Sequence, residues 1–135
     1  MTEQPPFSIA DHGSRFTVVL FDDYDWVLKV PKDKRAQERI GTIVEAQQYL
    51  SDRVDGILPA YEKYECLVMP TAPGVRADKL PNDEQQMAKK SFENVRKRCE
   101  KLGWYIRGSH PTNYFWNEKE KQSYPIDFSH VDRVE

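Results

Sequence analysis

The chain has 135 residues and a mass of 15.9 kDa, with 39% hydrophobic and 31% charged residues and a net charge of −2, the balance of one globular domain rather than two. Its longest nearly apolar run, Phe16 to Phe21, is far shorter than the ~20 residues of a membrane-spanning helix. The opening Met-Thr-Glu-Gln-Pro-Pro lacks the basic start and apolar stretch of a secretory signal, so a cytoplasmic protein without a membrane partner is expected.

In chain order, a short proline-containing arm leads to Thr17–Phe21, an Asp-rich turn and Trp26–Val30, which read as an antiparallel strand pair. From 34 to 54 the residues Ala36, Ile40, Ile43, Val44, Leu50 and Val54 recur at helical spacing, and Asp55-Gly56 ends the pattern. Two further strands are expected at 57–61 and 66–69, before Pro70-Thr-Ala-Pro-Gly74 interrupts the ladder. Residues 82–102 form the second long helix, with Phe92, Val95, Cys99 and Leu102 as its apolar stripe and Gly103 as the residue after its cap. A polar loop, His110-Pro-Thr-Asn113, then leads into a hairpin built from Tyr114–Trp116 and Tyr124–Phe128.

Charge is unevenly spread. Between Lys89 and Arg107 seven Lys or Arg stand against two Glu, and the rings of Trp104, Tyr105, Tyr114, Phe115 and Trp116 follow. Cations beside rings are one pattern of nucleic-acid binders. The apolar stripe accounts for the same segment as a helix with a solvated basic face, and the rings as core packing; nucleic acid is therefore a third reading. Cys66 and Cys99 show neither a disulfide framework nor zinc spacing, so reduced thiols are expected. His110, His130, Asp127, Asp132 and Cys99 lack recognised metal-ligand spacing. Ser109 beside His110 lacks the context of an activated nucleophile, and His12 and His130 read as surface residues.

The order of elements, together with several motifs, resembles a protein kinase. Val27-Leu28-Lys29 is similar to the strand whose lysine holds the nucleotide phosphates. Sixteen residues later Glu45 lies in the first helix, where the family places the glutamate that pairs with that lysine. Cys66-Leu-Val-Met-Pro-Thr-Ala-Pro-Gly74 resembles the segment entering the hinge, with Met69 as gatekeeper of an adenine pocket. Leu102 to Trp116 aligns without a gap to the catalytic-loop pattern, matching at Gly103, Arg107, Pro111 and Asn113, with His110 as in small-molecule kinases. Fourteen residues beyond Asn113, Ile126-Asp127-Phe128-Ser129 resembles Asp-Phe-Gly.

The resemblance implies a minimal α+β kinase-like fold in a single domain. It comprises a strand-rich lobe over 1–69, a hinge over 70–81 and a reduced helical lobe over 82–135. It implies ATP and Mg²⁺ as ligands, with Lys29 on phosphates, Glu45 orienting Lys29, and Asn113 and Asp127 holding the metal through oxygen. Val27 and Phe115 would cover the two faces of the base, and Pro70 would offer a carbonyl and Ala72 an N–H to its edge. Proline lacks only the N–H, which that position does not use.

Three departures shape the functional expectation. Gly108 stands where the family has the catalytic aspartate. Gly13 is the one glycine where a phosphate loop would have several. The sequence ends six residues after Ser129, so the resemblance spans about half of a kinase domain and the activation segment is expected to be missing. The favoured reading is a catalytically impaired kinase-like protein that binds Mg-ATP and contacts a protein partner. The runner-up is a working phosphotransferase whose base comes from a partner, from water or from Asp132.

Overall fold

The computed structural model describes residues 7–10, 15–21 and 23–134. Its opening strands, β1 (Phe7–Ala10), β2 (Phe16–Phe21) and β3 (Trp26–Pro31), are rich in the β-branched and aromatic residues that suit a pleated surface. Asp33 caps α1 (Lys34–Ser51), its carboxylate accepting the Ala36 N–H at 2.8 Å. Next come β4 (Tyr61–Lys63) and β5 (Cys66–Pro70), joined by a two-residue turn in which Tyr64 and Glu65 have φ of 51° and 61°. Such left-handed values match the twist of a tight hairpin. The five strands pair antiparallel in the order β1-β2-β3-β5-β4.

Two sequence expectations change here. The arm before β2 supplies a third strand, β1, so the pair is a meander. The strand expected at 57–61 starts only at Tyr61, because the Leu58 and Ala60 carbonyls accept from the side chains of Gln47 and Gln48 on α1, at 2.9 and 3.0 Å. Pro59 between them has no N–H for a ladder.

The connector is more ordered than its composition implies. It contains β6 (Val75–Arg76) and a single 3₁₀ turn, Ala77–Lys79. Gly74 has φ of +100°, and a Cβ there would lie 2.0 Å from the Trp116 carbonyl oxygen, so only glycine lets the chain come this close. Then follows α2 (Asn82–Lys101), with Asp83 and Glu84 in its first turn and Arg98 and Lys101 in its last, as the helix dipole favours. β7 (Trp104–Tyr105) pairs with β10 (Asp132–Arg133), while β8 (Tyr114–Asn117) and β9 (Gln122–Pro125) form a hairpin extended by β6.

The main core joins α1 (Ile40, Ile43, Leu50) and β5 (Leu67, Met69) to α2 (Val95, Cys99) and to Trp104, Phe128 and Val131. A second cluster holds Ala88, Phe92, Tyr114 and Trp116, with the Phe92 and Tyr114 rings stacked at 4.5 Å. Ala88 thus joins the buried stripe of α2, whereas Leu102 at the cap is 37% exposed. Burial pushes the Cys99 thiol up to about 12, and both cysteines are free thiols. Among the described residues no helix is long and apolar enough to cross a membrane.

Candidate functional site

Strand register builds one wall of a cleft. Val18 lies opposite Lys29, Leu20 opposite Val27, and Val27 opposite Met69, so these side chains share one face of the sheet. With Phe115 of β8 and Ile126 after β9, they line a cleft of about 440 Å³. Pro70 and Ala72 line it from the segment leaving β5, and Asn113 and Asp127 from the two sides of the β8–β9 hairpin. Of the residues expected to contact nucleotide or metal, all but Glu45 line this cleft.

Lys29 is 9% exposed, and its Nζ donates to the Ile126 carbonyl. Burial pushes its ammonium below the usual lysine range, and the Asp127 carboxylate opposes that shift. Glu45 does not orient it. At 3.6 residues per turn Glu45 lies about two and a half turns beyond the buried Ala36, hence on the opposite, outward face of α1. Its carboxylate instead accepts from Arg133 Nη2 at 2.5 Å, between two exposed side chains. The expected Lys29–Glu45 pair is therefore absent, replaced by the carbonyl and carboxylate of the Ile126-Asp127 segment.

That segment is positioned by its own bonds. The Ile126 N–H donates to the Asn113 carbonyl at 2.9 Å, which puts the two candidate metal ligands beside each other. Asp127 Oδ1 accepts from the Ser129 N–H at 2.9 Å and the Ser129 hydroxyl at 2.6 Å, fixing the carboxylate. Among the described residues no group of three or more His, Cys, Asp or Glu converges. One carboxylate and one amide fit Mg²⁺, which binds through one or two protein oxygens plus substrate phosphates. Neither residue type suits a soft metal.

The hinge-like edge has a matching pattern. The Thr71 N–H is taken by the Asp25 carbonyl at 2.9 Å, while among the described residues no protein acceptor takes the Ala72 N–H. Met69, at 2% exposure, closes the cleft toward the core.

Gly108 has φ of +91°, and a Cβ there would stand 2.8 Å from Asn113 Nδ2. Thus the backbone at this position, where the resemblance places an aspartate, has the left-handed conformation that favours glycine. Asp132, the alternative base, is absent from the cleft lining. Arg107 holds it at 3.3 Å and Arg39 at 3.7 Å.

Sequence reasoning missed several groups. Arg15 before β2, Thr112, Ser129 and Arg76, which forms a 2.6 Å pair with Asp78, all line the cleft. His130 is exposed as expected, yet it also lines the cleft. Ser129 was within reach, since it belongs to the motif that selected Asp127; Arg15 and Arg76 carry no comparable local signal. His12 and Gly13 lie outside the described residues. Along α2 runs a larger but shallower groove of about 690 Å³, edged by Lys90, Lys97, Arg98 and Lys101, which shares no lining residue with the cleft. Comparison with protein-family models and with curated protein sequences finds no match.

Proposed function

We propose that the chain is a catalytically impaired kinase-like domain whose cleft holds ATP with Mg²⁺ and which acts through contact with another protein. The observation that carries this reading is convergence: Lys29, Met69, Asn113 and Asp127, each chosen by a separate motif, line one cleft. The order of three strands, helix, two strands, connector, helix and hairpin supports it at the level of architecture.

The base fits between Val18, Leu20 and Val27 on one side and Phe115 on the other. Its edge meets the Pro70 carbonyl and the Ala72 N–H. Lys29 meets the phosphates, held by the Ile126 carbonyl and Asp127 in place of a helix glutamate. Asn113 and Asp127 would hold Mg²⁺, which neutralises phosphate charge when bound. At the catalytic-loop position no group accepts a proton from a hydroxyl, because Gly108 carries none and Asp132 is engaged elsewhere, while Asp127 is committed to the metal and His130 belongs to the opposite, C-terminal side of the motif. The nucleic-acid reading is weakened by the burial of Trp104, Tyr114 and Trp116, whose faces are not offered to bases.

A single reaction with radiolabelled ATP and Mg²⁺ tests both halves. Retention of label on the protein without turnover above background is expected, with retention lost in Asp127→Asn. Absence of retention would remove the nucleotide reading. Robust transfer or hydrolysis that vanishes in Asp127→Ala would promote the active phosphotransferase instead.

A further inference from the structure

The five-stranded sheet has two faces, and the described residues cover only one. The face bearing Val27, Lys29 and Met69 packs on α1 and lines the cleft. On the other, the register sets Ile9 beside Val19, Leu28, Val68 and Tyr61, a row crossing all five strands. Phe7 pairs with Phe21 and Trp26 with Pro70 on the same face. Ile9 is 62% exposed, Trp26 and Tyr61 44% and Phe7 41%, and none of Val19, Leu28 and Val68 belongs to a buried cluster.

The sequence carries the same message. An antiparallel sheet with one face in water alternates apolar and polar residues, whereas strands covered on both faces read as continuous apolar runs. Apart from Thr17 and the cleft-facing Lys29, Phe-Thr-Val-Val-Leu-Phe, Trp-Val-Leu-Lys-Val and Cys-Leu-Val-Met are of the second kind. The strands are written for a cover that the chain's described residues do not provide.

We propose that this face is the interface of a homodimer, two copies packing sheet on sheet about a two-fold axis near Leu28, the middle of the row. The outward row carries no charge, and on the same face Lys63 stands only at the edge strand, two residues beyond Tyr61, so the middle of the counterpart needs none and such a face is complementary to itself. Homodimer interfaces are more apolar than transient ones between different proteins, which are no more apolar than ordinary surface. Taking roughly 200 Å² for a large side chain, the four exposed fractions above amount to on the order of 400 Å², and the half-buried Val19, Phe21, Leu28 and Val68 between them add to it, toward the ~800 Å² each partner contributes to a standard interface. Aligned sheets pack about 10 Å apart, and a two-fold lets each residue meet the same patch on its partner. The cleft lies on the opposite face, so the inference does not depend on the nucleotide reading.

The test uses sedimentation velocity of the full chain across a dilution series, with tryptophan emission and iodide quenching read on the same samples. Trp104 and Trp116 are 2% and 3% exposed, so quenching reports Trp26. A species of twice 15.9 kDa should form as concentration rises, with Trp26 emission shifting blue and quenching falling in step. Ile9→Glu with Tyr61→Glu changes exposed side chains at the two ends of the row. It should raise the dissociation constant at least tenfold while leaving the far-UV circular dichroism unchanged. Four results would overturn the proposal: a monomer up to about 100 µM, well above micromolar affinity; a dimer indifferent to the double variant; a dimer with unaltered Trp26 quenching; or a monomer that associates with phospholipid vesicles instead of itself.

Discussion

Burial opposes the charge of Lys29 while Asp127 favours it, so the ammonium gains from any further anion brought into the cleft. Between its lowered folded-state pKa and the ordinary value of 10.5, the unfolded chain holds a proton that the folded chain has released. Stability contributed by this group therefore rises with pH through that window. Urea unfolding at a series of alkaline pH values should show the rise in the wild type and a flatter profile in Lys29→Met; identical profiles would contradict a buried Lys29. Gly108 invites the opposite experiment. Placing a carboxylate there by Gly108→Asp forces a side chain into a left-handed backbone and against Asn113. It should cost on the order of 1–3 kcal/mol, as for other strained backbone positions, and leave turnover at background. Full stability with a gain of activity would show that the loop is an ordinary catalytic loop carrying a reversible change.

At the scale of elements, Gly74 is the point where the connector meets β8. Gly74→Ala should destabilise by on the order of 3 kcal/mol, since the carbonyl it would strike belongs to the backbone and cannot swing away. Chemical denaturation measures this, and a change within about 0.5 kcal/mol would show that β6 is free to move off β8. The two helices and β2, β3 and β5 were legible because apolar spacing and Gly103 state them locally, although α1 ends at Ser51 rather than at the expected 54. The edge strand β1 was not, because Phe7 and Ile9 face outward and no buried stripe marks it. The Ile57–Ala60 segment misled because its carbonyls are claimed by Gln47 and Gln48, a long-range fact invisible in a four-residue window. Spacing from Lys29 found the right helix for Glu45 but not the right face, although counting turns from Ala36 would have placed it outward.

Across the whole molecule, α1 is tied to the C-terminal segment rather than to Lys29. Arg39 donates from Nε to the Ser129 carbonyl at 3.2 Å and from Nη2 to the Val131 carbonyl, and Glu45 takes Arg133 on the same side. Arg133 in turn lies over the Trp104 ring at 4.6 Å. These bonds brace the stretch that carries Asp127, so Arg39→Ala should lower stability by about 2 kcal/mol, the scale of hydrogen bonds from a charged donor. Amide exchange should then accelerate over 129–134 first; uniform acceleration throughout the chain would mean that Arg39 acts on the fold as a whole. The basic face of α2 makes a weaker claim. Lys90, Lys97, Arg98 and Lys101 should give oligonucleotide binding that fades steeply with salt, and tight binding at physiological salt would revive the nucleic-acid reading.

The proposal that the cleft holds nucleotide is tested most directly by thermal unfolding with ATP, ADP and GTP, each with and without Mg²⁺, for the wild type, Lys29→Ala and Asp127→Asn. A ligand at 100 times its dissociation constant adds about 2.7 kcal/mol of stability. The wild type should therefore melt several degrees higher with Mg-ATP, less so with ATP alone, and both variants should lose most of the gain. A wild-type melting curve unmoved by saturating nucleotide, or a shift that both variants retain in full, would contradict the assignment of this cleft.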